Sequence, residues 1–282
     1  MIRNVFFMCL CFSAVLFSFS CKPSKPPVHS LVKKWETDTV FKTPESVLYN
    51  KDSNILYVSN INGNDVWAMD GNGSIAKIGA DGKNIVTDWV TGLNGPKGMG
   101  IYKGKLYAAD VTEIVVINIQ TRTIEKKITV AGAKGLNDIT IDKDGVLYVS
   151  DSEGGKIFTI KNDVATILLS DVKAPNGLIA TADGLYMLES GTLYKINADK
   201  STTKIVGGMK GADGVENISG KDFIVSASGG IPYYIFAAGT KEKLSDGTTN
   251  PITSADMGID AATRTIFIPT FERNTVAAYE VK

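Results

Sequence analysis

Short apolar runs of about five residues, broken by Gly and Asp, recur along this chain, and no long stretch carries apolar residues at a 3.6-residue period. One phrase returns six times: a turn residue, an apolar run, a Gly/Asp turn, then a second run containing Tyr or Phe. The copies begin Pro44-Glu45-Ser46, Pro96-Lys97-Gly98, Leu136-Asn137-Asp138, Pro175-Asn176-Gly177, Ala212-Asp213-Gly214 and Ala255-Asp256-Met257. Their second residues are spaced by 52, 40, 39, 37 and 43 positions. Strand-like content at a period near 40 predicts a β-propeller of six four-stranded blades. In the third copy the expected strands are 138–142, 146–150, 156–160 and 164–169. The long first interval predicts an inserted loop over 61–73, placed where such loops decorate a binding face. The sixth copy has only three runs before the chain stops. The strand-like segment Leu31–Thr37, otherwise unused, is therefore expected to complete blade six and lock the ring, leaving no open edge.

Equivalent positions on the inner strands of a propeller converge on its channel. The second residues of the six copies, Glu45, Lys97, Asn137, Asn176, Asp213 and Asp256, thus predict a polar ring inside an apolar repeat. Carboxylates and amides together suit a hard cation, which takes several oxygen ligands. The same residues also read as turn formers, Pro-Asn-Gly and Asp-Gly being common turn sequences. The chain has one histidine, His29, ahead of the repeats, so a histidine-based triad or a histidine-liganded zinc in the channel is excluded. Walker and serine-elbow motifs are absent. Asp110, Asp151 and Glu189, each ending a second strand, are expected to accept backbone hydrogen bonds. Trp35 and Trp89 read as packing residues, and Trp67, in the inserted loop, as a ligand contact.

Composition adds two restrictions. The chain of 282 residues carries 30 basic and 30 acidic side chains, so no electrostatic footprint for nucleic acid exists. Its start reads as a secretory signal: Arg3 as the only charge in residues 1–20, then an apolar run from Val5 to Phe17. Ser20-Cys21 resembles a bacterial lipoprotein cleavage site. Cys21 is the one cysteine left after removal of the signal, and acylation gives it a purpose in an oxidising compartment. The expected organisation is a signal over 1–20, a lipidated Pro-rich tether over 21–30, and a propeller over 31–282, anchored to a membrane of the bacterial envelope. A monomer acting on a small molecule is expected.

The phrases Pro44-Glu45, Asn137-Asp138, Pro175-Asn176-Gly177-Leu178 and Asp213-Gly214 resemble those of the SMP-30/gluconolactonase/luciferin-regenerating family of six-bladed propellers, over about residues 40–282. The resemblance implies a divalent metal in the channel, calcium foremost, with magnesium, manganese or zinc as alternatives. Its ligands would be Glu45, Asn137, Asn176 and Asp213. It also implies hydrolysis of a lactone or ester, with Asp213 as candidate base. From their own positions Lys97, Asp256 and Trp67 are expected to contact substrate. Lys97 departs from the family's pattern, as do Ser46-Val47 after Glu45, and no arginine falls near the ring. The rival expectation is a non-catalytic, NHL-like propeller that binds a ligand or protein partner through the same channel.

Overall fold

The computed structural model describes residues 28–228, 230, 232–244 and 254–282. The signal segment, Cys21 and the tether up to residue 27 lie outside the described residues. Twenty-four strands form six antiparallel sheets of four, and the only helix among the described residues is a single 3-10 turn, Phe271–Arg273. No helix among them is long and apolar enough to cross a membrane.

Blades one to five run outward from the channel in chain order. Blade three consists of Leu136–Ile141, Leu147–Asp151, Lys156–Lys161 and Val164–Leu169, within two residues of the boundaries expected from sequence. In blade one the third strand begins at Gly73, so the inserted loop covers 61–72. Blade six is built from Gly258–Asp260, Thr265–Pro269 and Val276–Val281, and its outer strand is Leu31–Glu36 from the other end of the chain. Leu31 pairs with Val281, and Glu36 with Ala277. This is the predicted closure. The backbone amides of Val28 and His29 and the His29 ring all bond Glu242, and the ring stacks on Tyr234 at 3.8 Å.

The apolar faces of the blades pack against one another, not around a single centre. Ile114 and Val116 of blade two meet Leu136, Val149 and Phe158 of blade three, all essentially inaccessible to water. The two expected packing tryptophans lie in outer strands. Trp89 is buried against Tyr57 at 4.9 Å, and Trp35 packs at a tilt against Phe267 and donates its indole N–H to the carbonyl of Ala80. The acids that end second strands act as expected, with one refinement: they bind the loop that precedes their own inner strand. Asp110 accepts the amide of Asn94, Asp151 those of Lys134 and Gly135, and Glu189 that of Lys173.

Candidate functional site

A shared backbone irregularity aims the ring residues into the channel. In five blades the inner strand carries one residue more than its partner at its start. The register shifts lie between Pro44 and Ser46, Pro96 and Met99, Leu136 and Ile139, Pro175 and Leu178, and Ala212 and Val215. Such a bulge bends the strand and re-aims a side chain. It also frees a backbone N–H from the ladder. In three blades a serine of the second strand accepts that N–H: Ser59 from Ser46, Ser150 from Asp138 and Ser226 from Gly214, at 2.8–2.9 Å.

The bulged residues Glu45, Lys97, Asn137, Asn176 and Asp213 all line one cavity of about 510 Å³, here called the upper cavity. Val66 and Trp67 of the inserted loop, Ala255, Ser228, Ser254, and Phe271 and Glu272 of the 3-10 turn complete its wall. The sequence reading did not anticipate the last four of these. Nothing in their local pattern distinguishes them, because they lie outside the repeated phrase.

Asp256 is a correction to the predicted ring. Ala255 takes the blade-six position in the upper cavity, and Asp256 falls one residue further along, in a second, lower cavity of about 260 Å³. The seam between blades six and one explains the slip. Asp256 bridges Ser46 in a parallel pairing, its amide bonds the carbonyl of Glu45, and its carboxylate accepts the Ser46 hydroxyl at 2.6 Å. Glycines show the same layer elsewhere. A Cβ on Gly98 would lie 2.4 Å from Asp138 Oδ1, and one on Gly214 2.1 Å from Asp256 Oδ1. Asp138 and Asp256 therefore occupy equivalent places, one step below the ring.

The donor chemistry of the upper cavity fits a hard cation. Glu45 Oε2, Asn137 Oδ1 and Asn176 Oδ1 are buried oxygens without a hydrogen-bond partner. Leaving each such group unpaired costs roughly 1–3 kcal/mol, so three in one cavity point to a ligand they would share. The amide of Asn176 is oriented: its Nδ2 donates to Asp213 Oδ1 at 2.7 Å, which turns Oδ1 the other way. Among the described residues no three His, Cys, Asp or Glu side chains converge on one point. The candidate set is two carboxylates and two amides, which binds through charge and through neutral oxygens together.

Electrostatics mark the same residues. Burial drives the Glu45 carboxyl well above the ordinary range; Lys97 opposes this, and Asp213 and Asp256 add to it. Burial raises Asp213 to about 6, against the Asn176 hydrogen bond and the Lys97 charge. Burial also lowers the Lys97 ammonium, against the attraction of Glu45, Asp213 and Asp110. Lys97 is 2% exposed, makes no ion pair or hydrogen bond among the described residues, and lies 4.4 Å from the centre of the Trp67 ring. A cation–π contact contributes about 0.5–2 kcal/mol, less than the several kcal/mol lost when an ammonium leaves water. The ring therefore does not compensate the charge by itself.

The description SMP-30/Gluconolactonase/LRE-like region matches residues 43–216, a span that holds all five ring residues. The chain belongs to this family. No curated protein matches it. Solved structures with the same fold include a gluconolactonase from Xanthomonas campestris, 15% identical, with a TM-score of 0.66 over 89% of each chain. A virginiamycin B lyase from Staphylococcus aureus is 14% identical, with a TM-score of 0.63 over 89% of this chain and 99% of that one. A chain of a nidogen/laminin complex is 18% identical, with a TM-score of 0.61 over 72% of this chain and 79% of that one. At such identities these likenesses speak for the fold alone.

Proposed function

We propose that this protein is a metal-dependent hydrolase of a small lactone or ester, and that the upper cavity is its active site. The observation that carries the reading is the set of unpartnered buried oxygens on Glu45, Asn137 and Asn176, facing the same cavity as Asp213. These four residues would hold the ion, calcium foremost. When bound, a divalent ion supplies Lewis acidity to a carbonyl oxygen. The chain's own residues do the rest. Asp213, oriented by Asn176 and facing the cavity, is suited to accept a proton from a water that attacks the carbonyl carbon. As the ring C–O bond breaks, the same proton passes to the departing oxygen, giving a hydroxy acid. Asn176 fixes the Asp213 carboxylate during both transfers. Trp67 lines the same cavity and bounds one side of the Lys97 ammonium.

The decisive experiment is hydrolysis of a lactone panel by wild type and Asp213→Asn, with metal content measured on the purified protein. Turnover that requires a divalent ion and falls at least about a hundredfold in the variant, with the fold retained, is expected. Tight metal binding with no turnover of any lactone would overturn the hydrolase reading. It would favour the second one, a binding propeller, which the buried and unpaired Lys97 supports because the hydrolytic steps above do not use it.

We also infer that a lipid on Cys21 anchors the propeller to a membrane of the bacterial envelope. The support is the apolar run from Val5 to Phe17 followed by Ser20-Cys21. Cys21→Ser is expected to move the protein from the membrane pellet to the soluble fraction. Unchanged sedimentation would refute the anchor.

A further inference from the structure

We propose that the upper cavity takes a ligand bearing a carboxylate, and that Lys97 is the residue that receives it. The substrate part of this proposal rests on the hydrolase reading. The reacting molecule would be a lactone or ester, and the carboxylate either a substituent on it or the group released when it opens.

Lys105, Lys126 and Lys127 sit on the outer surface, and each is paired with Glu125, Asp163 or Glu113. Lys97 is the reverse case: buried, facing a cavity, and without a carboxylate within ion-pair distance among the described residues. Asp110 lies in its field, but both Asp110 oxygens accept the amide of Asn94 at 2.9 Å. The geometry suits a compact carboxylate. An ammonium is a point charge with rotatable donors, and here the indole of Trp67 closes one side of it. Lactone opening creates such a group from a neutral ester, so the same lysine would also hold the product.

The test uses gluconate, a sugar monocarboxylate, with glucitol as its uncharged counterpart. Each is titrated calorimetrically into wild type and Lys97→Met, before and after chelation of metal. Gluconate is expected to bind wild type, less tightly once chelation uncovers the Glu45 and Asp213 carboxylates, and to weaken by a further factor of about ten or more in the variant, whereas glucitol does not distinguish the two proteins. Equal gluconate affinity in wild type and Lys97→Met would overturn the proposal. A second measurement needs no variant. In reductive methylation of wild type, mapped by mass spectrometry, gluconate should protect Lys97 and glucitol should not; equal labelling of Lys97 with both overturns the proposal. Lactone turnover followed in parallel separates the two readings. Turnover with Lys97-independent gluconate binding removes this proposal and leaves the hydrolase. Lys97-dependent binding without turnover does the opposite.

Discussion

The two ends of the channel hold similar side chains in opposite states. In the upper cavity, oxygens of Glu45, Asn137 and Asn176 have no partner within the protein. In the lower cavity two of the three acids, Asp138 and Asp256, are used by the chain itself. Asp138 accepts the amides of Ile139 and, across the blade boundary, Leu178, while Asp256 accepts the Ser46 hydroxyl. The lower acids thus sew blade three to blade four and blade six to blade one. The upper ones leave their acceptor capacity open. Buried carboxylates alone do not mark a functional site; what separates the two cavities is whether the fold has already consumed the oxygens.

This contrast can be broken by substitution. Asn137→Ala should weaken divalent-ion binding by about 10- to 100-fold. It should leave the stability of the metal-free protein within about 0.5 kcal/mol of wild type, because it removes an oxygen that bonds nothing in the fold. Calorimetry with calcium and urea unfolding of the chelated protein give the two numbers. Asp138→Ala should behave in the reverse sense. It strands two buried N–H groups and should cost roughly 2–4 kcal/mol in urea unfolding, with ion affinity retained. If Asn137→Ala unfolds the protein and Asp138→Ala abolishes ion binding, the assignment of the two cavities is inverted.

Acidity sharpens the comparison further. Burial lifts Asp256 from 3.8 to about 7, against its Ser46 hydrogen bond and with the nearby charge of Asp213 adding to the rise. The native state therefore keeps this proton over a range in which the unfolded chain has lost it. Stability should fall as pH rises from about 4 to 7 and level off above that. Asp138 and Glu216 are raised for the same principal reason, and each also feels Asp256. A fall in thermal midpoint on the order of 5 °C between pH 5 and 8 is expected, flattened in Asp256→Asn. The smallest effect belongs to Trp67→Ala. Loss of one cation–π contact should change stability by about 1 kcal/mol or less, while methylation of Lys97 becomes faster.

The six-fold phrase was legible because it encodes two things at once: strands of period two and the Gly/Asp turns between them. The closure by Leu31–Glu36 followed from counting strands in blade six. Five of the six ring positions were legible because their blades share one bulge at one place in the phrase. Asp256 was misread because blade six lacks that offset. Its inner strand is only Gly258–Asp260, and the residues before it are held by blade one instead of their own ladder. Matching by residue type therefore selected the aspartate, whereas the backbone placed Ala255 at the ring. The serine layer carried a signal that spacing alone did not reveal. Ser59, Ser150 and Ser226 each follow a valine near the end of a second strand, and their function appears only once the bulged amides are seen.

The pairing of Leu31 with Val281 also sets an order of events. The first β-segment of the ring to be made must wait for the last one, with five blades assembling in between. Closure is then the most non-local step in the folding of this chain, and until the final residues arrive the protein carries an unmatched edge at each side of the gap.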